Sequence, residues 1–219
     1  NPQSTKPFSK KGLVIGEIQS GKTTNYLSLI AKAIDVGYRN IVVLTGVTED
    51  LRKQTQSRTE EYLGRARREV YYQNSEIVKQ TRIITKNPKD GSGDFNSRDA
   101  QQWEPLQKNN GSPLIWIMKK NYRSLGAFIK YLERFAKKEY IENEDSSNSL
   151  SDFKFSDHNL IVIDDECDNA SVNTGAYRDD PENEHNQIRE VKRINGQIRT
   201  ILNKFEKNSY IGYTATPYA

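Results

Sequence analysis

The chain has 219 residues, 28% charged and 34% hydrophobic, with a formal net charge of +4 and an isoelectric point near 9.0. That length suits one sizeable α/β domain, and no run approaches the ~18 apolar residues that cross a bilayer. Nothing at its start reads as a signal peptide, and the single Cys167 excludes an internal disulfide, so a cytoplasmic protein without a membrane partner is expected.

Leu13-Val14-Ile15 predicts the first strand, and Gly16-Glu17-Ile18-Gln19-Ser20-Gly21-Lys22-Thr23 follows it. This octet meets every fixed position of G-x-x-x-x-G-K-[ST], in the strand–loop–helix setting that the chemistry needs. Glycines let the backbone form a nest of N–H groups around a phosphate, and the following helix adds its positive end. Lys22 can reach the β- and γ-phosphates, and the Thr23 hydroxyl can complete a Mg²⁺ shell. The nucleotide cradle is therefore assigned to Gly16, Gln19, Ser20, Gly21, Lys22, Thr23 and Thr24, with ATP or GTP as ligand. A chance glycine loop is the competing reading, and the second site below weighs against it.

The helix from Lys22 to Val36 carries Leu27, Ile30, Ala31 and Ile34 on one face and ends at Gly37. Ile41–Leu44 is the second strand. Thr48 can cap the next helix, with Glu49 and Asp50 in its first turn. That helix carries Arg52, Lys53, Gln54, Thr55 and Arg58, with Arg65, Arg67 and Arg68 on or beyond its end. A phosphate backbone would be drawn to such a face, though a plain solvated helix surface competes for most of these residues. A short strand is expected at Arg82–Thr85. Insertions or loops are expected near 87–113, 142–157 and 169–186, from their polar, glycine- or acid-rich composition.

Leu114–Met118 predicts a further strand, with Lys119, Lys120 and Asn121 at its carboxyl end, where they can meet phosphates or form an ordinary turn. A helix to about Glu139 should bury Tyr122, Leu125, Ile129, Leu132 and Ala136. Leu160-Ile161-Val162-Ile163 is a strand buried on both faces, as in a parallel sheet. It ends in Asp164-Asp165-Glu166-Cys167-Asp168, so carboxylates stand at the carboxyl edge where α/β sheets bind ligands. One can hold Mg²⁺ and the next can orient the attacking water. Asp164 and Asp165 are adjacent and point to opposite sides, so only one faces the phosphates. Cys167 reads as a filler beside the carboxylates; His158 and His185 read as polar surface. The last helix, near Gln187–Glu206, turns Val191, Ile194, Ile198, Ile201 and Phe205 inward, before a strand through Tyr210–Tyr213. Tyr71-Tyr72 reads as packing rather than a base-stacking pair.

The segment Asp165-Glu166-Cys167-Asp168 has the form D-E-x-D, and Tyr210-Ile211-Gly212-Tyr213-Thr214-Ala215-Thr216-Pro217 looks like a strand followed by Ser/Thr-Ala-Thr. With the phosphate loop, these resemble the superfamily-2 helicases and translocases with their DEAD-like core. Ile41–Gly46 followed by Leu51-Arg52-Lys53-Gln54-Thr55 sits where that superfamily has a strand and then a helix on the nucleic-acid backbone. The resemblance implies an α/β P-loop NTPase of RecA-like three-layer form with a mostly parallel sheet. It implies catalysis by Lys22 and Glu166, Mg²⁺ between Thr23 and Asp165, and coupling through Asp168, Thr214 and Thr216. The implied nucleic-acid candidates are Arg52, Lys53, Gln54, Thr55, Arg58, Lys119 and Lys120, with DNA as partner and RNA open. The motif wording is narrower still and resembles the ATPase region of bacterial proteins with a Z-one endonuclease domain, of restriction or phage-defence type. On that reading residues 1–219 are a single lobe, and a second RecA-like lobe and a nuclease domain belong to the rest of the protein.

Charge is unevenly placed. Residues 1–139 hold 25 Lys/Arg against 14 Asp/Glu, residues 140–190 hold 3 against 14, and residues 191–219 hold 5 against 1. A basic majority supports a polyanionic partner. Two other classes stay open: a P-loop ATPase that ignores nucleic acid, and a nucleotide-dependent regulatory module.

Overall fold

A computed structural model describes residues 2–16, 21–68, 81–102, 105–108, 110–142, 153–168 and 181–215, with the backbone alone at 65–68, 142 and 181–190. Among these, six parallel strands form one sheet: β1 (Phe8–Ile15), β2 (Asn40–Thr45), β3 (Arg82–Ile83), β4 (Leu114–Lys119), β5 (Phe155–Asp164) and β6 (Phe205–Thr214), in the order β1-β6-β5-β2-β4-β3. The helices are α1 (Lys22–Val36), α2 (Glu49–Arg68), α3 (Asp99–Gln102), α4 (Tyr122–Glu142) and α5 (Pro181–Asn203). The fold is the expected α/β P-loop architecture, with helices on both faces of the sheet.

Topology explains which helix covers which face. From β1 through β2 to β3 the chain steps outward across the sheet, and from β3 through β4 and β5 to β6 it steps back. Right-handed crossovers in opposite directions place their helices on opposite faces. Accordingly α1 and Leu63 of α2 pack with Ile41, Val43, Ile161 and Ile163 in one core cluster. On the other face α4 and α5 pack with Val42, Trp116, Leu160 and Val162. Strand parity does the sorting: alternate residues of β2 and β5 feed alternate cores. In β5 all of Leu160–Ile163 are buried, as a run apolar on both faces requires.

Several boundaries differ from the sequence reading. β1 begins at Phe8, and as an edge strand beside β6 it leaves Leu13 and Ile15 more than half exposed. Helix α5 begins at Pro181, ahead of the expected start, and Phe205 opens β6 instead of closing the helix. Ile194, Ile198 and Ile201 are buried as expected, whereas Val191 is half-buried. Tyr122 is also half-buried, because the first residue of α4 lies beside a surface groove instead of in the core. His158 is buried on β5 with Nε2 2.7 Å from Glu139 Oε1, so it is a core-edge residue and not polar surface. Tyr71-Tyr72 and the His185 side chain lie outside the described residues.

Candidate nucleotide site

The phosphate loop sits between β1 and α1. Its crown, including Gln19 and Ser20, lies outside the described residues; Gly16, Gly21, Lys22, Thr23 and Thr24 are placed. Gly21 caps α1 at φ 78°, a left-handed conformation that glycine adopts without strain. The cap residue Gly21 brings no side chain to the start of α1, as suits a helix start that takes an anion. Lys22 Nζ donates to the Gly16 carbonyl at 2.8 Å, folding back over the loop. The Gly16 amide in turn donates to the Thr214 carbonyl at 3.0 Å, fixing the loop start against the end of β6.

The acidic turn follows β5. Asp164, its last residue, shares strand parity with Leu160 and Val162, so it faces the α4/α5 core. There it is fully buried: Lys120 Nζ lies 2.7 Å from Oδ1, and the Tyr210 hydroxyl donates to Oδ2 at 2.6 Å. Lys120, itself 1% exposed, also donates to the carbonyls of Asp165 and Glu166 at 2.9 and 2.6 Å. The ends of β4 and β5 and the middle of β6 are thereby tied to one turn. Asp165 instead falls on the side of α1. Burial, reinforced by the neighbouring Glu166 carboxylate, pushes its carboxyl above the usual range, against the pull of the Glu166 amide, Lys120 and Lys22. The hydroxyl of Thr23 and the carboxylate of Asp165 are hard oxygen donors, so this donor set fits Mg²⁺.

Glu166 adopts φ 54°, uncommon for a non-glycine residue, and its Oε2 lies against Gly46 at the end of β2. A Cβ on Gly46 would meet that oxygen at 3.3 Å and Leu51 Cδ1 at 2.6 Å, so a side chain there would make Leu51 and the Glu166 carboxylate shift. Here the connections after β2 and β5 part to opposite faces, which is where open α/β sheets form a ligand crevice. Cys167 is buried over Gly212, and its thiol is pushed up to about 11 by burial and by the Asp164 carboxylate. It is an inert filler at this pKa.

Strand β6 closes the site. The Tyr213 hydroxyl donates to Asn25 Oδ1 at 2.8 Å, and its ring meets Tyr26 edge-on with centroids 5.8 Å apart. Burial, with Asp165 nearby, pushes that hydroxyl up to about 12. Thr214 is buried, Asp168 is half-buried on the turn, and Thr216 lies outside the described residues. Sequence reasoning missed Tyr213, Tyr210, Gly46 and the inward role of Lys120. The alternation of Ile211, Tyr213 and the following threonine was the available signal for Tyr213 alone.

The nucleic-acid candidates divide. Arg52 is 0% exposed; its guanidinium donates to Glu49 Oε1, Gln56 Oε1 and the Lys86 carbonyl, each at 2.9 Å. It seals α2 to the segment after β3 and is not a surface contact. Thr55 is buried, and Lys120 is consumed by the acidic turn, which corrects those two assignments as well. Gln54 and Arg58 are exposed and Lys53 is half-buried, but Arg58 Nη1 donates to Thr23 Oγ1 at 3.2 Å, so it leans on the nucleotide site. Lys119 is held by Glu49 at 3.0 Å. The side chains of Arg65, Arg67 and Arg68 lie outside the described residues.

Residues 3–219 match the family described as Type III restriction enzyme, res subunit (ResIII). Among solved structures, the chain is similar to the pCW3 conjugation coupling protein TcpA in its monomer form with ATPγS, at 14% identity and a TM-score of 0.38. That alignment covers 97% of this chain and 44% of TcpA, so the chain spans less than half the length of that protein. No curated protein gives a significant sequence match. Among the described residues no helix is long and apolar enough to cross a membrane.

Proposed function

The chain belongs to the type III restriction enzyme res-subunit family, a helicase-like nucleotide-binding ATPase domain, and we propose that it is the first lobe of a DNA-dependent superfamily-2 motor. The observation that carries the reading is the meeting of Lys22, Thr23 and the Asp165-Glu166 turn at one carboxyl edge of a parallel sheet. ATP phosphates lie in the Gly16–Thr23 loop and against the first-turn amides of α1. Thr23 and Asp165 would hold Mg²⁺, which would supply charge neutralisation at the phosphates. Lys22 leaves the Gly16 carbonyl to bind the β/γ-phosphates, and Glu166 orients the attacking water and takes its proton. Tyr213 and Thr214, bonded to α1 and to the loop start, report the state of the site along β6. Asp168 and Thr216 extend that relay toward the nucleic acid.

The motif wording shared with Z-one endonuclease-domain proteins extends the proposal to a restriction-like or defence endonuclease. A second RecA-like lobe of the same protein closes over the γ-phosphate, and a nuclease domain cuts. DNA is the expected polymer, with RNA as the comparison.

The test is ATP hydrolysis by the full-length protein with single-stranded DNA, duplex DNA, RNA or none, using Glu166→Gln as the blank. DNA-stimulated, Mg²⁺-dependent turnover is expected, falling about a hundredfold or more in Glu166→Gln. Turnover indifferent to every polymer keeps the ATPase and removes the motor reading. The raised Asp165 pKa sets a sign: Mg²⁺ needs the carboxylate, so MgATP affinity should weaken with acidification sooner than an ordinary aspartate would allow.

A further inference from the structure

The α2 residue Arg58 fits a polymer-binding face by sequence, yet the fold turns it to the nucleotide site. Its Nη1 donates to Thr23 Oγ1 at 3.2 Å, across the seam between α2 and α1. Arg58 is exposed, and among the described residues no carboxylate pairs with it. Lys22 already stands over the loop, bonded to the Gly16 carbonyl. Arg58 therefore brings a second cation to the end of the phosphate loop, from a different element.

The seam beneath Arg58 is well packed. Thr55, Arg58, Thr59 and Tyr62 recur three and four residues apart, so they share one face of α2. Thr55 and Thr59 are buried, Leu63 joins the core that α1 forms, and the Tyr62 and Ser28 hydroxyls lie 3.4 Å apart. Tyr26 of α1, 1% exposed, meets the same seam. Burial pushes its hydroxyl up, while hydrogen bonding to Thr55 and Thr23 and the Arg58 charge pull the other way. The packed face thus fixes where α2 carries Arg58, and a cation held in place loses less freedom when it binds.

A threonine hydroxyl offers two acceptor positions. Arg58 uses one on Thr23, and Mg²⁺ on Thr23 would use the other. Two cations on one oxygen repel each other unless anionic oxygens stand between them. A triphosphate supplies such oxygens, and the planar guanidinium fork matches them in pairs. We propose that Arg58 is a phosphate-binding residue of the nucleotide site, reaching from α2 to the triphosphate beside Thr23. The inference rests on the ATP-binding reading above. Nucleotide then tightens α2 onto α1 along the seam that Arg58 crowns.

The test measures the affinity of the full-length protein for N-methylanthraniloyl-ATP, in Mg²⁺ and in EDTA, with amide exchange of α2 followed in parallel. Arg58→Gln should weaken binding about tenfold in both media, as loss of a charge-assisted hydrogen bond does. Arg58→Lys, which keeps the charge and loses the fork, should weaken it by less. Nucleotide should slow amide exchange in α2 of the wild type but not of Arg58→Gln. Lys32→Gln, which removes an exposed cation from α1, should bind like wild type. Wild-type affinity in Arg58→Gln overturns the phosphate contact. A loss confined to Mg²⁺ also overturns it, and makes Arg58 an orienter of the Thr23 hydroxyl. An equal loss in Lys32→Gln overturns it in favour of net charge, and a matching fall in melting temperature does so in favour of folding. Wild-type protein that binds no nucleotide overturns the ATP-binding reading itself.

Discussion

Lys119 and Lys120 are neighbours at the end of β4, and they serve two opposite regions. Lys120 turns into the sheet, where an aspartate, a tyrosine and two carbonyls leave the acidic turn no slack. Lys119 turns outward to Glu49 and the rim of a groove whose guanidiniums lack acidic partners among the described residues. The inward lysine is saturated with partners, whereas the outward one sits at a surface where charge stays available. Strand pleating enforces the division, because consecutive residues at a strand end point to opposite sides.

The harshest way to break this contrast is Lys120→Met. It removes the cation beside a fully buried Asp164, and breaking a buried pair on one side costs about 3–5 kcal/mol. The acidic turn also loses its bolts, so ATP turnover should fall tenfold or more, part of the general-base contribution that Glu166→Gln removes outright. Adding Asp164→Asn should restore much of the stability but not the turnover. A single variant that melts and hydrolyses like wild type would falsify the locked-turn account.

Gly212→Ala probes the same turn from below. The added Cβ would stand 2.7 Å from Cys167 Sγ, and overpacking of this kind costs about 1–3 kcal/mol. Shrinking the partner as well, in Gly212→Ala/Cys167→Ala, should recover most of that loss in a double-mutant cycle of thermal melts. Simple addition of the two effects would show that the turn tolerates movement and is not locked.

How much of this was legible in the sequence depends on whether a residue's partner lies nearby in the chain. β5 and the acids at its carboxyl end were readable because strand pattern and carboxylates occupy consecutive residues. Alternation also put Asp164 and Asp165 on opposite sides of the sheet. Arg52 was misjudged, yet its partners Glu49 and Gln56 sit three and four residues away on the same helix face, so that spacing held a usable signal. Lys120 was misjudged for a deeper reason: Asp164 and the carbonyls of Asp165 and Glu166 reach it only once β4 and β5 have joined the same sheet through β2. Tyr122 fitted a helical stripe, but periodicity does not reveal that the covering element stops short of the first turn.

Glu49 tests which region Lys119 belongs to, and its effect should be the smallest. Burial alone would raise its carboxyl, but hydrogen bonds from Arg52, Lys119 and Ser92 outweigh that and hold it at about 2. Because the folded value lies below the unfolded one of about 4.3, the stabilisation is complete above that pH and drains away as pH falls toward 2. Glu49→Gln should therefore cost about 1–2 kcal/mol near neutrality, allowing for solvent screening, and progressively less in acid. Urea midpoints at several pH values measure this, and a gap that stays constant with pH would assign the stabilisation to packing instead of charge. The same variant releases Lys119 from Glu49 and leaves it Asp94, 3.8 Å away. If Lys119 serves the proposed nucleic-acid contact, oligonucleotide binding should tighten as its carboxylate competitor is lost; if it is only a structural tie, binding should stay level.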